Sequence, residues 1–217
     1  MSVSFGFPSY SIRERRADQA VHLFALVGCL LGIPLLLSTV TNWGSATALV
    51  ATLLYCVGLL WVWTSSAAYN FAILPGRKEI YRRLDHAGIY MMIAGSYSPF
   101  ALIKIGGAWG WGIFLSIWLM ALIGLFISLR YPRSADRASL ALYLVMGWSV
   151  LLSIRSLIEA VSTSVLVLLI VGGVLYTAGV GFHLAHRLLY HNAIWHAFVL
   201  VATVCHYLAV YLALAAV

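Results

Sequence analysis

Residues 20–41 read AVHLFALVGCLLGIPLLLSTVT, a run without a single Asp, Glu, Lys or Arg. A helix crossing the hydrocarbon core of a bilayer needs about 20 mainly apolar residues, and this run is long enough. It is too long for the apolar core of a signal peptide, and no small-x-small site closes it. The polar segment before it, with Arg13, Arg15 and Arg16, is therefore expected to be retained.

The rest of the chain has the same character. Of 217 residues 63% are hydrophobic and 9% charged, with a mean hydropathy of +0.99, values that exclude a soluble globular domain. The formal charge of +7 collects between apolar runs, so no nucleic-acid surface is expected. Cys29, Cys56 and Cys205 are far apart within apolar runs. They form neither a disulfide framework nor a metal-binding pair and read as packing residues.

Further runs of the same length lie at about 46–72, 86–105, 110–129, 138–158, 163–186 and 193–215. The connectors TNWG, PGRKEIYRRLD, GGAW, RYPRSADR, EAVS and RLLYHN leave no room for a soluble domain. The expectation is an all-α integral membrane protein, one seven-transmembrane-helix bundle over 1–217. Basic residues set its orientation. Eleven of the 13 flank one side (Arg13, Arg15, Arg16, Arg77, Lys78, Arg82, Arg83, Arg130, Arg133, Arg137 and Arg187), leaving Lys104 and Arg155 on the other. The N-terminus is expected in the cytoplasm and the C-terminus outside.

That topology gathers the polar residues. His22, Ser66, Asn70, Asp85, His86, His183, Asn192 and His196 all fall toward the cytoplasmic ends of their helices. At about 100° per residue, Ser66 and Asn70 share one helix face, as do Asn192 and His196. His206 extends the second stripe roughly 15 Å deeper, where a histidine needs a partner or a role. Asp85 also suits an N-cap for the third helix. His191 points elsewhere and reads as an interfacial loop residue. His22, His183 and His186 adjoin basic loops, where headgroup contact is the plainer explanation.

The blocks LDHAGIYMMIAGSYSPF (84–100), SSAAYN (65–70), AIWHAFVLVATVCHY (193–207) and GGVLYTAGVG (172–181) resemble the bacterial hemolysin III proteins. These are relatives of the adiponectin and progestin receptors and of the alkaline ceramidases. The resemblance implies a bacterial inner-membrane location, membrane lipids as partners, and a zinc site in the cytoplasmic half. It implies one histidine in S-x-x-x-H, two in H-x-x-x-H, and an assisting serine and aspartate. Carried over, the serine is Ser66, the aspartate Asp85 and one histidine His196, whereas Asn70 and Asn192 stand at the other two ligand positions. The helix-one pattern E-x-x-x-N-x-x-x-H appears as Glu14, Asp18 and His22, with Asp in place of Asn.

Two amides for two imidazoles remove most of the expected zinc affinity, because a neutral amide oxygen suits harder cations. Ser66, Asn70, Asp85, Asn192 and His196 can instead satisfy one another as a hydrogen-bonded network. His22, His86 and His183 are the alternative imidazole ligands, and the cofactor stays open between zinc and none. Three functions follow. The first is membrane or lipid homeostasis around a polar cavity that is a degenerate metal site. The second is a metal-dependent lipid amide hydrolase using Ser66 and Asp85. The third is a pore or cytolysin, for which no charge ring or filter segment speaks. The lipid and the oligomeric state, homo-oligomer included, are not fixed by the sequence.

Overall fold

The computed structural model describes residues 10–130 and 136–216, so Arg133 lies outside them. Every regular element among these residues is helical. In chain order they are α1 (Ile12–Val40), α2 (Ala46–Phe71), α3 (Pro75–Pro99), α4 (Gly107–Arg130), α5 (Asp136–Trp148), α6 (Ile154–Ala160), α7 (Thr163–Leu184) and α8 (His191–Ala215). Six segments are long and apolar enough to cross a membrane: α1, α2, α4, residues 138–160, α7 and α8. Large apolar side chains such as Phe24, Leu30, Leu119 and Leu152 point outward, as a lipid-facing surface requires.

Three boundaries differ from the sequence expectation. Helix α1 starts at Ile12 rather than near residue 20, because Ser11 and Glu14 close a capping box: Ser11 N–H donates to Glu14 Oε2 at 2.9 Å and Glu14 N–H to Ser11 Oγ at 3.3 Å. The expected loop PGRKEIYRRLD is instead the first half of α3. A proline suits its first turn, and Glu79 pairs with Arg82 at 3.3 Å and Arg83 at 3.6 Å along the helix. Asp85 is therefore interior to α3, not its N-cap. These charges also keep α3 short of the hydropathy of the other spans, since the α-helix gives way after Pro99 to a π-turn over Phe100–Ile105.

The segment expected at 138–158 is helical but broken. A 3₁₀ turn, Ser149–Ser153, separates α5 from α6. Glycines bring α2 and α3 together: a Cβ on Gly95 would lie 2.8 Å from the Leu54 carbonyl oxygen, and one on Gly58 2.6 Å from that of Met91. Such small residues let membrane helices approach backbone to backbone. Trp61 Nε1–H then donates to the Leu84 carbonyl at 3.2 Å, which fixes the register of Ser66 against the α3 turn bearing Asp85. Helix α8 is tied to α1 by Tyr207 O–H donating to Gly32 O at 2.8 Å. At its far end Lys104 Nζ donates to Ala213 O at 3.0 Å, a cation at a helix C-terminus.

Candidate functional site: a polar cluster heading an intramembrane cavity

Four helices contribute to one cluster. Asp18 and His22 follow each other by four residues on α1, so both face the bundle. His22 is fully buried. Its Nδ1 donates to the Asp18 main-chain carbonyl at 2.8 Å, and its Nε2 meets Ser66 Oγ on α2 at 3.0 Å. Because a carbonyl can only accept, Nδ1 carries the proton and Nε2 offers the lone pair, leaving the Ser66 hydroxyl to donate. Trp63, Phe71 and His196 pack edge-on around the ring, so its orientation is held on three sides. His196 on α8 places Nδ1 2.5 Å from Asp18 Oδ1, a short charge-assisted contact. Asp85 on α3 also faces the Ser66 hydroxyl.

The amides form a chain of their own. Asn192 Nδ2 donates to Asn70 Oδ1 at 3.1 Å, and Asn70 Nδ2 donates to the Ser66 carbonyl at 2.9 Å and to Ser66 Oγ at 3.4 Å. The run Asn192–Asn70–Ser66–His22 thus crosses from α8 through α2 to α1, and Asp18–His196 returns from α1 to α8. Below it opens a cavity of about 1050 Å³. Asp18, Asn70, Asp85, His86, His183, Asn192 and His196 line its polar end, and apolar residues such as Ile89, Leu144, Leu157 and Leu166 its walls.

The remaining candidates are placed less centrally. His86 and His183 line the cavity without entering the Asp18–His22–His196 group, and His183 packs on Trp195 with ring centroids 5.3 Å apart. His206 lines the cavity further along α8. It packs edge-on to Tyr176 at 5.5 Å, and its Nε2 is buried without a hydrogen-bond partner among the described residues. Glu14 caps α1 and accepts from Tyr190 N–H at 3.1 Å; it stands outside the cluster. His191 corrects the sequence reading. It is the first residue of α8, buried, with its ring tilted against Tyr10 and edge-on to His186. The cause is Tyr190, whose left-handed backbone (φ 62°) starts the helix there. Outside the span, burial, with Asp18 and Glu14 nearby, pushes the Tyr10 phenol up to about 12.

Asp18 is the residue sequence reasoning undervalued. It appeared as a departure within a helix-one pattern, yet a carboxylate four residues before an intramembrane histidine is itself a signal that the two share a site.

An all-helical chain with several membrane-spanning segments and a polar cluster heading a cavity defines a multi-pass membrane protein with an internal site. The sequence pattern of the haemolysin-III related family matches residues 11–207, and the chain belongs to that family. It is 33% identical to Hemolysin-3 of Bacillus cereus over 192 residues, covering 87% of this chain and 86% of that protein. It is 32% identical to the Hemolysin-3 homolog of Bacillus subtilis (strain 168), covering 88% and 90%. The human Monocyte to macrophage differentiation factor is 30% identical over 207 residues, covering 91% and 83%.

The zinc site implied by the family resemblance does not fit positions 70, 192 and 196 of this chain. Two of the three donors are amides, and the Asn70 oxygen is already engaged by the Asn192 amide.

Proposed function

We propose that this protein acts in membrane-lipid homeostasis without hydrolytic chemistry, its cavity responding to lipid chains and its family ligand positions reduced to an amide pair. The observation that carries this reading is the Asn192-to-Asn70 hydrogen bond. The Asn70 oxygen accepts from Asn192 and its amide donates to Ser66, so both ends of Asn70 are engaged by protein groups and position 70 needs no ion. The largely apolar walls of the cavity suit an acyl chain. The same reading has α3 with its π-turn as a seventh span, the N-terminus in the cytoplasm and the C-terminus outside. The excess of basic residues on one side supports that topology, and the bacterial inner membrane is its setting.

The test is a strain lacking the protein, supplied with saturated fatty acid. Laurdan polarisation should stay high until the intact chain is restored. Gly173→Phe, which fills the cavity beside Trp148, should not restore it. Normal membrane order in the deletion strain would sink the reading. A second reading, hydrolysis of a lipid amide, is favoured by the two carboxylates Asp18 and Asp85 over one lipid-sized cavity. Fatty-acid release from a ceramide in proteoliposomes, abolished by Asp85→Ala, would decide for it.

A further inference from the structure

Three members of this cluster also converge on one another closely enough to share an ion. A ligand atom from each of Asp18, His22 and His196 lies within 4.8 Å of the other two, and all three residues are buried. We propose that these three side chains hold a first-row divalent transition ion, on a donor set centred on α1 and α8 rather than on positions 70 and 192. The inference rests on the amide reading above, since it requires Asn70 and Asn192 to be bystanders.

Three observations lead here. The first is the charge balance. Among the described residues, the groups set against the Asp18 carboxylate are the imidazoles of His22, neutral in the tautomer above, and His196, and a divalent ion would neutralise the buried carboxylate that they share. The second is ring orientation. His22 gives its Nδ1 proton to a main-chain carbonyl, so the lone pair sits on Nε2, where it now accepts from the Ser66 hydroxyl. That outer-shell hydrogen bond is what fixes a histidine as a ligand. The third is access: Asp18 and His196 line the same cavity as Tyr10, Glu14 and Arg15 at its polar mouth, so an ion need not cross apolar walls.

Two imidazoles and one carboxylate are a borderline donor set that selects zinc and its neighbours over magnesium or calcium. Tetrahedral bonds of about 2.0–2.2 Å place donors roughly 3.3–3.6 Å apart, so His196 Nδ1 and Asp18 Oδ1, now 2.5 Å apart, would part modestly within a group that spans no more than 4.8 Å. Binding displaces the Ser66 hydroxyl, which keeps its proton, from His22 Nε2 and replaces the proton shared by His196 and Asp18, which leaves to solvent.

The experiment uses the full chain in nanodiscs, stripped with chelator and titrated with zinc, then with cobalt(II) followed by visible absorption. One equivalent is expected. Asp18→Asn and His22→Ala should weaken zinc binding about 100-fold or more, and Asn70→Ala and Asn192→Ala by less than about threefold. The cobalt band should be intense and should change on Asp18→Asn, which keeps the side chain's size. If that variant aggregates, the cobalt spectrum of the unaltered chain decides. A spectrum like that of aqueous cobalt, or no stoichiometric zinc, overturns the inference and leaves the amide reading standing. Equal loss in all four variants overturns both, because positions 70 and 192 would then be ligands.

Discussion

The two ends of the cavity carry the same residue type in opposite circumstances. At the polar end His22 has both ring nitrogens engaged and aromatic edges on three sides. Further along α8, His206 leaves a buried Nε2 with no partner among the described residues and rests against Gly172 and Tyr176. An imidazole in a membrane is expensive unless its polar atoms are satisfied. The first belongs to a network that several helices share; the second is held by packing and by one hydrogen bond to the Leu169 backbone on α7. Depth in the bilayer alone therefore does not say how a histidine is satisfied; the number of helices that meet at it does.

Substitutions can break that contrast, and denaturant or thermal unfolding in detergent micelles reads each of them. Asp18→Ala should have the largest effect, about 3 kcal/mol of lost stability, because it strips two buried imidazoles of their shared carboxylate. Ser66→Ala should cost about 2 kcal/mol, since His22 and Asn70 both lose a partner. An unchanged midpoint for either would mean that the network is not a unit. At the other end Gly172→Ala should cost about 1 kcal/mol, as its Cβ would press on the His206 ring. His206→Leu should shift stability least, by less than about 1 kcal/mol, because the one hydrogen bond lost, to the Leu169 backbone, is offset by removal of a buried unpartnered Nε2. A large loss with His206→Leu would erase the distinction.

Most of the architecture was legible because apolar runs of bilayer length leave few alternatives. Ser66 and Asn70, and Asn192 and His196, could be paired from helical spacing alone. The capping box of Ser11 and Glu14 was legible too, but the apolar run beginning at residue 20 drew attention away from it. Hydropathy hides a helix whose first half is charged, so α3 and the place of Asp85 within it were misread. The role of Asp18 depends on how α1 rotates against α8, and that angle is set by packing, such as Tyr207 on Gly32. Local pattern does not contain it. His191 was missed because one left-handed residue, Tyr190, decides where α8 begins.

The broken span between α5 and α6 has a mechanical meaning. A 3₁₀ turn rises about 2.0 Å per residue and an α-helix about 1.5 Å. Rewinding Ser149–Ser153 would shorten this rod by about 2.5 Å, comparable to the thickness differences among natural bilayers. While Lys104 and Tyr207 clamp α8 to its neighbours, rewinding at Ser149–Ser153 would let this span change length by itself. Amide exchange at residues 149–153, slower in thin bilayers than in thick ones, would register it.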